Sequence, residues 1–282
     1  MNIALISFDR PDYIESVLKS LKNQTFQDFK LYWFNDGLIN KYSWRRAADL
    51  LNVTKCCSLV KDYFPDSEIF LSESNIGIAE NWRRAEVHMF YDLGLEECVF
   101  MEDDLELTSP YYLETLNNMF DTFRDDEEIG MFSAFGETTS VKTPGVMKNM
   151  GHLWAFGTTK KAWEKRQEVF YDDYYNFVKG TDFVFRDRDG IRNLYNKYGG
   201  KWQIADSQDG AICLASMLAD QIHISTEVNL ATYIGEVGMH FNKKTYNDMG
   251  FNKTPLYSKG PIKDFTVDKK KIRKIQEREF LK

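Results

Sequence analysis

Cys98-Val99-Phe100-Met101-Glu102-Asp103-Asp104-Leu105-Glu106-Leu107 sets an apolar run directly against a cluster of acids. Four residues suited to a buried strand run straight into three consecutive carboxylates, and a turn and a helical pattern follow over residues 108–123. Adjacent negative charges at the end of an apolar strand repel one another unless a cation or hydrogen-bond donors offset them. Alternation along a strand predicts Glu102 and Asp104 on one face and Asp103 on the other, with Asp104 reaching furthest past the strand end. In open α/β sheets the crevice beyond that end is where ligands bind. Taken alone, Glu-Asp-Asp is read equally well as a solvated acidic turn, so the surrounding chain has to decide.

Upstream, the apolar run at residues 2–7 is bounded by Asp9-Arg10-Pro11, and residues 12–21 show helical periodicity through Ile14, Val17, Leu18 and Leu21. Pro11 suits a first helical turn, where its missing N–H costs nothing. Residues 29–34 read as a second strand ended by Asn35-Asp36-Gly37, so strand, helix and strand form a βαβ unit of a parallel sheet. The loops after the two strands then lie side by side, presenting Phe8, Asp9 and Arg10 from one and Asp36 from the other. That set fits a nucleoside, with a carboxylate accepting from a base N–H and an arginine near ribose or phosphate; singly, the same residues read as a helix cap and a turn. No G-x-G-x-x-G or P-loop lysine is present. Residues 44–51 read as helix and residues 68–72 as a third strand. A turn at Asn75-Ile76-Gly77 then opens a helix that continues to about residue 93 and carries Arg83 and Arg84 near the crevice or, on the plainer reading, on a solvated face.

These motifs in this order, Asp9-Arg10-Pro11, Asn35-Asp36-Gly37, Asn75-x-Gly77 and Val-Phe-Met-Glu-Asp-Asp104, resemble the GT-A fold glycosyltransferases of family 2. The Glu-Asp-Asp form looks most like the N-acetylglucosaminyltransferase I branch. The resemblance covers roughly residues 1–245 and implies a mixed, mainly parallel α/β sheet flanked by helices, with residues 1–107 as the nucleotide-sugar-binding half and 108–245 as the acceptor half. It further implies nucleotide-sugar contacts from Phe8, Asp9, Arg10, Asp36, Asn75, Gly77, Arg84, Glu102 and Asp103, and a divalent cation, Mn²⁺ or Mg²⁺, on Asp104.

Downstream, residues 109–123 read as helix and 129–135 as strand, while residues 138–150, broken by glycine and proline, read as a mobile segment beside the crevice. Residues 151–163 resemble the family's strand and turn carrying an aromatic near the acceptor, which implies stacking of Trp154 on a sugar; a lone tryptophan is more often core, and His152 is equally structural. Residues 164–205 depart from the family pattern and read as an insertion adding helices. A carboxylate just before the helix at 211–219 maps the catalytic base onto Asp209, with Asp206 as the fallback. His240, at the end of the closing segment 223–240, is implied as a second metal ligand, a loop histidine without a role being as good a reading. Residues 242–260 read as a loop or lid. Residues 263–282 form a charged helix with eight basic and four acidic residues, so a solvated face is expected of it rather than a partner-binding one.

Composition sets the outer limits. At 282 residues, 43% hydrophobic and 28% charged, the chain suits a globular domain with a sizeable core. No apolar run approaches the roughly 20 residues that span a bilayer, nor is an N-terminal leader evident, and a cytoplasmic protein is expected. Cys56, Cys57, Cys98 and Cys213 show no C-x-x-C spacing and read as reduced core residues. The sequons at Asn23, Asn52 and Asn252 read as chance. A net charge of −7 speaks against a broad grip on nucleic acid.

The expected activity is inverting, metal-dependent transfer of a sugar from a nucleotide, UDP first, to an acceptor hydroxyl, a saccharide before a hydroxylated base of bacteriophage DNA. A glycoside hydrolase needs no nucleotide site, and a nucleotidyltransferase is expected to carry a glycine-rich loop and lysine where this chain has Asp9-Arg10-Pro11. A non-catalytic sugar-binding module leaves the acid run and Asp209 without a shared purpose.

Overall fold

The computed structural model describes residues 1–136, 143–201, 208–236 and 242–282, apart from the side chain of residue 252. The first half runs β1 (Asn2–Ser7), α1 (Pro11–Lys22), β2 (Lys30–Asn35), α2 (Leu50–Tyr63), β3 (Glu68–Leu71), α3 (Gly77–Val87) and β4 (Glu97–Glu102), then the two-residue β5 (Leu105–Glu106). After it come α4 (Tyr112–Phe123), β6 (Ile129–Ser133), β7 (Met147–Asn149), β8 (Ala155–Thr159), α5 (Lys160–Arg166), α6 (Asp172–Val178), α7 (Arg188–Lys197) and α8 (Gln208–Leu218). The chain closes with β9 (Ile222–Thr226), β10 (Thr232–Tyr233), α9 (Lys243–Asp248) and α10 (Lys269–Phe280).

Eight strands form one sheet in the order β3-β2-β1-β4-β8-β6-β9-β7. β1, β2, β3 and β4 are mutually parallel, β8 runs antiparallel between β4 and β6, β9 is parallel to β6, and β7 closes the edge antiparallel to β9. This is the expected mixed, mainly parallel sheet. Its inner strands β1, β2, β4 and β6 are near-continuous apolar runs because both faces are covered. Alternation sends Ile3, Leu5, Trp33, Val99 and Met101 into one core with α1, α2 and α4. Ala4, Ile6, Phe34, Cys98 and Phe100 go into the other, with α3, α5, α6 and α8. Residues 164–201 contribute to that second core: Tyr171, Tyr174, Ile191 and Tyr195 are buried in it.

The helix expected at residues 44–51 does not form. Residues 38–47 turn back on themselves, Asn40 N–H donating to Arg45 O and Ala47 N–H to Leu38 O. The buried Asn40 side chain fixes the tip by accepting from the N–H groups of Tyr42 and Ser43. α2 starts only at Leu50, where the Asp49 carboxylate caps the Leu51 N–H.

Of the segment expected to be mobile, residues 138–142 lie outside the described residues, and Met147–Asn149 is the edge strand β7. Residues 242–260, expected as a loop or lid, contain α9 and a short 3-10 turn, and Tyr246 and Phe251 are buried in the first core. The charged helix expected over residues 263–282 is shorter: α10 starts at Lys269, where the Asp268 carboxylate caps the Lys271 N–H, and it buries Ile272, Gln276 and Phe280. All four cysteines are free, three of them buried. Among the described residues no helix is long and apolar enough to cross a membrane.

Candidate active site

β4 lies near the middle of the sheet, hydrogen-bonded between β1 and β8, and delivers the acid run to the carboxyl edge. The strand ends at Glu102. Asp103 and Asp104 form a turn into β5, which pairs with β10 through Leu105–Tyr233 and Glu106–Thr232. The expected alternation past Glu102 is therefore corrected: in the turn, both Asp103 and Asp104 meet the guanidinium of Arg10. Arg10 Nη1 donates to Asp104 Oδ2 at 3.0 Å, and Nη2 donates to Asp103 Oδ1. The side chain of Arg10 is 30% exposed, those of Asp103 and Asp104 only 2% and 7%.

One fork thus serves two carboxylates and satisfies half of each. Asp103 Oδ2 and Asp104 Oδ1 are buried and have no hydrogen-bond partner among the described residues. Burial pushes the Asp104 carboxyl up to about 6 even though Arg10 pulls the other way. Glu102 is held well above the ordinary carboxylate range by burial, with Asp104 and then Asp209 adding repulsion. Two orphaned oxygens in an under-neutralised site are the donor set a hard divalent cation takes. Among the described residues no three His, Cys, Asp or Glu side chains cluster to hold a metal ion. The residues therefore fit a cation that takes one or two protein carboxylates and completes its shell with substrate oxygens and water, as Mg²⁺ commonly does.

Asp209 sits in the first turn of α8, near enough to Glu102 for its charge to act there, so residues distant in sequence converge at the end of β4. Asp206 and His240 lie outside the described residues.

The loops on the β1–β3 side are arranged differently from the expectation. Asp36 is buried, and its carboxylate accepts from the N–H groups of Gly37, Ile76 and Gly77 and from the Asn75 amide, each at 2.8 Å. Its oxygens are used to tie the β2 loop to the start of α3, where Gly77 has a φ of 80°. Asn75 in turn accepts from the Asn40 amide at 3.0 Å. Asp9 is half-buried and accepts from the Asp49 N–H at 3.3 Å, and Phe8 is half-buried beside it. Arg84 is not a solvated residue: Nη2 donates to the carbonyls of Asn35 and Phe70 at the ends of β2 and β3 and to Asn81. Arg83 turns away toward Gln167 and Asp172. Both arginines line a cleft of ≈ 360 Å³ beside α3, with Phe34, Phe70, His88 and Tyr175.

Trp154 is adjacent to the acids, its carbonyl accepting from the Glu102 N–H at 2.8 Å, but it is only 6% exposed. Both faces are covered, by His152 at 4.0 Å and 3° between planes and by Tyr233 at 3.8 Å and 8°. The expectation that Trp154 stacks on an acceptor sugar is corrected, because a ring sandwiched on both sides has no face to offer. Tyr233, which sequence reasoning did not single out, joins the site from β10: the next residue, Ile234, donates its N–H to Asp104 O at 2.8 Å. Burial and the charges of Asp104 and Glu102 push the Tyr233 hydroxyl above its ordinary range. Nothing local in the sequence marks Tyr233, since its place depends on a two-residue ribbon with β5.

No protein-family model and no curated protein matches the chain. Among solved structures, the galactosyltransferase LgtC in complex with donor and acceptor sugar analogs is similar at 9% identity and a TM-score of 0.39, over 92% of this chain and 98% of that one. TarS from S. aureus is similar at 11% identity and a TM-score of 0.41, over 76% of this chain and 42% of that one. A cytidylyltransferase from Leptospira borgpetersenii serovar Hardjo-bovis is similar at 12% identity and a TM-score of 0.37, over 60% of this chain and 63% of that one. Likenesses of this size assign no activity to the chain.

Proposed function

We propose that the chain is a GT-A type glycosyltransferase that moves a sugar from a nucleotide donor, UDP-linked in the first instance, to an acceptor hydroxyl, with inversion at the anomeric carbon. The observation that carries this reading is the acid turn itself: orphaned carboxylate oxygens of Asp103 and Asp104 at the carboxyl edge, with Arg10 against them and Asp209 close by.

A divalent cation bound at Asp104 supplies charge stabilisation for the departing diphosphate. The chain's own residues do the rest. The backbone scaffold built on Asp36 and Asn75 shapes the shelf for the nucleoside. Asp209 takes the proton of the acceptor hydroxyl as that oxygen bonds to the anomeric carbon, while the bond from that carbon to the diphosphate oxygen breaks and its electron pair leaves with the diphosphate. A positioned base of this kind contributes about 10²- to 10⁴-fold. Saccharides are the first acceptor class to test, with a hydroxymethylated DNA duplex beside them.

The experiment is release of UDP from a panel of UDP-sugars with Mn²⁺, comparing the native chain with Asp209→Asn. Turnover is expected to fall about 10²- to 10⁴-fold in the variant with donor affinity kept. Near-native turnover in Asp209→Asn removes Asp209 as the base, and no nucleotide release or binding with any donor removes the transferase reading.

A further inference from the structure

We propose that Arg10 is a built-in counter-cation of the acid turn, which a divalent cation has to displace from Asp104, so that cation binding is coupled to an anionic ligand able to take up the released guanidinium. This rests on the reading of the turn as a cation site and goes beyond it in assigning the residue that controls occupancy.

Three features carry it. First, the backbone of Arg10 is fixed: its carbonyl accepts from Tyr13 and Ile14 at the start of α1, and Pro11 follows in the first turn. The side chain alone is left to move, and its guanidinium lies over the Tyr13 ring, 5.1 Å from the centroid. Second, the fork is spread over two carboxylates instead of being bidentate on one, so each acid keeps one oxygen in contact and one orphaned. A planar guanidinium binds best when both its nitrogens meet one carboxylate or phosphate; the bridging arrangement is a compromise that holds two repelling acids together. Third, the Nη1 contact is to the same carboxylate whose other oxygen is orphaned, so a cation on Asp104 is brought against a guanidinium on Asp104, like charge against like. The contact is released when the cation binds, and Arg10 then needs an anion. A nucleoside diphosphate has that chemistry, and it also offers oxygens to the cation.

The test is Mn²⁺ binding followed by the electron paramagnetic resonance of free Mn²⁺, for the native chain and for Arg10→Gln, each with and without UDP. The native chain is expected to bind Mn²⁺ weakly alone and at least tenfold more tightly with UDP. Arg10→Gln is expected to bind Mn²⁺ alone at least tenfold more tightly than the native chain, and to gain less than threefold from UDP. Arg10→Lys, which keeps the positive charge but loses the planar fork, is expected to fall between them; it also serves if Arg10→Gln melts too low to titrate. If the native chain binds Mn²⁺ with UDP but neither variant binds Mn²⁺ alone more tightly than the native chain, the counter-cation role of Arg10 is overturned while the transferase reading stands. If no form binds Mn²⁺ under any condition, the cation-site reading fails first and this proposal with it.

Discussion

Asp36 and His223 show how far a single buried side chain can be committed to structure in a chain whose chemistry lies elsewhere. The Asp36 carboxylate accepts four hydrogen bonds, three of them from backbone N–H groups. Asp36→Ala leaves those donors buried without partners, at about 1–3 kcal/mol for each orphan that water cannot reach. A loss of about 3 kcal/mol in denaturant melts is expected. His223 lies inside the sheet on β9, with neither ring nitrogen partnered among the described residues; burial first, and the nearby Arg166 charge second, lower its pKa to about 3. Above its ordinary value of 6.5 the ring is neutral in both folded and unfolded chains and contributes no pH dependence. As the pH falls through 6.5 the unfolded chain takes up a proton that the folded chain refuses until about 3, so stability is lost across that window. The slope is at most about 1.4 kcal/mol per pH unit. His223→Leu should flatten the acid limb of a stability profile between those limits, and an unchanged limb would show that other groups set it.

The elements that form the site differ in how much of them local sequence dictates. β1, α1, β2 and β4 are legible because apolar runs of strand length, or of helical period, are closed by residues with a local reason to stop them: Asp9-Arg10-Pro11, Asn35-Asp36-Gly37 and Glu102-Asp103-Asp104. The turn at residues 38–47 is not legible, since it is held by the side chain of Asn40 and by Asp182, whose carboxylate accepts from Ser43 and Arg45 across the fold. Residues 44–51 carry an apolar pattern that suits a helix, and those distant hydrogen bonds override it. The burial of Trp154 is not legible locally either, because its cover, Tyr233, arrives from another element. β8 depends on a glycine in its middle. A Cβ on Gly157 would lie 2.4 Å from Cε2 of Phe132 and 2.8 Å from Cζ of Phe120, two rings packed edge to face at 4.8 Å. Gly157→Ala is expected to cost about 1–3 kcal/mol through displaced rings, read as a lowered melting temperature.

At the scale of the molecule, the sheet order brings together residues that the chain keeps far apart. The loop after β1 supplies Arg10, the turn after β4 the acids, β10 the tyrosine beside them and the first turn of α8 the carboxylate of Asp209, while α10 packs on β9 by pairing Gln276 with the backbone of His223. The parallel strands of the first half and the acids at the end of β4 were legible from order and spacing, and the mixed sheet was implied by the resemblance those motifs carry. The tie between Asp36 and α3 and the sharing of Arg10 between two acids were not, because side-chain partners across a crevice leave no mark in a one-dimensional pattern. The proposed role of Asp104, in the turn after β4, is to join a divalent cation to a nucleoside diphosphate. Its most direct test is calorimetric titration of UDP into the native chain and into Asp104→Ala, with Mn²⁺ and without. The account predicts that Mn²⁺ strengthens UDP binding to the native chain at least tenfold and does so little, if at all, in Asp104→Ala; equal UDP affinity in all four titrations would contradict it.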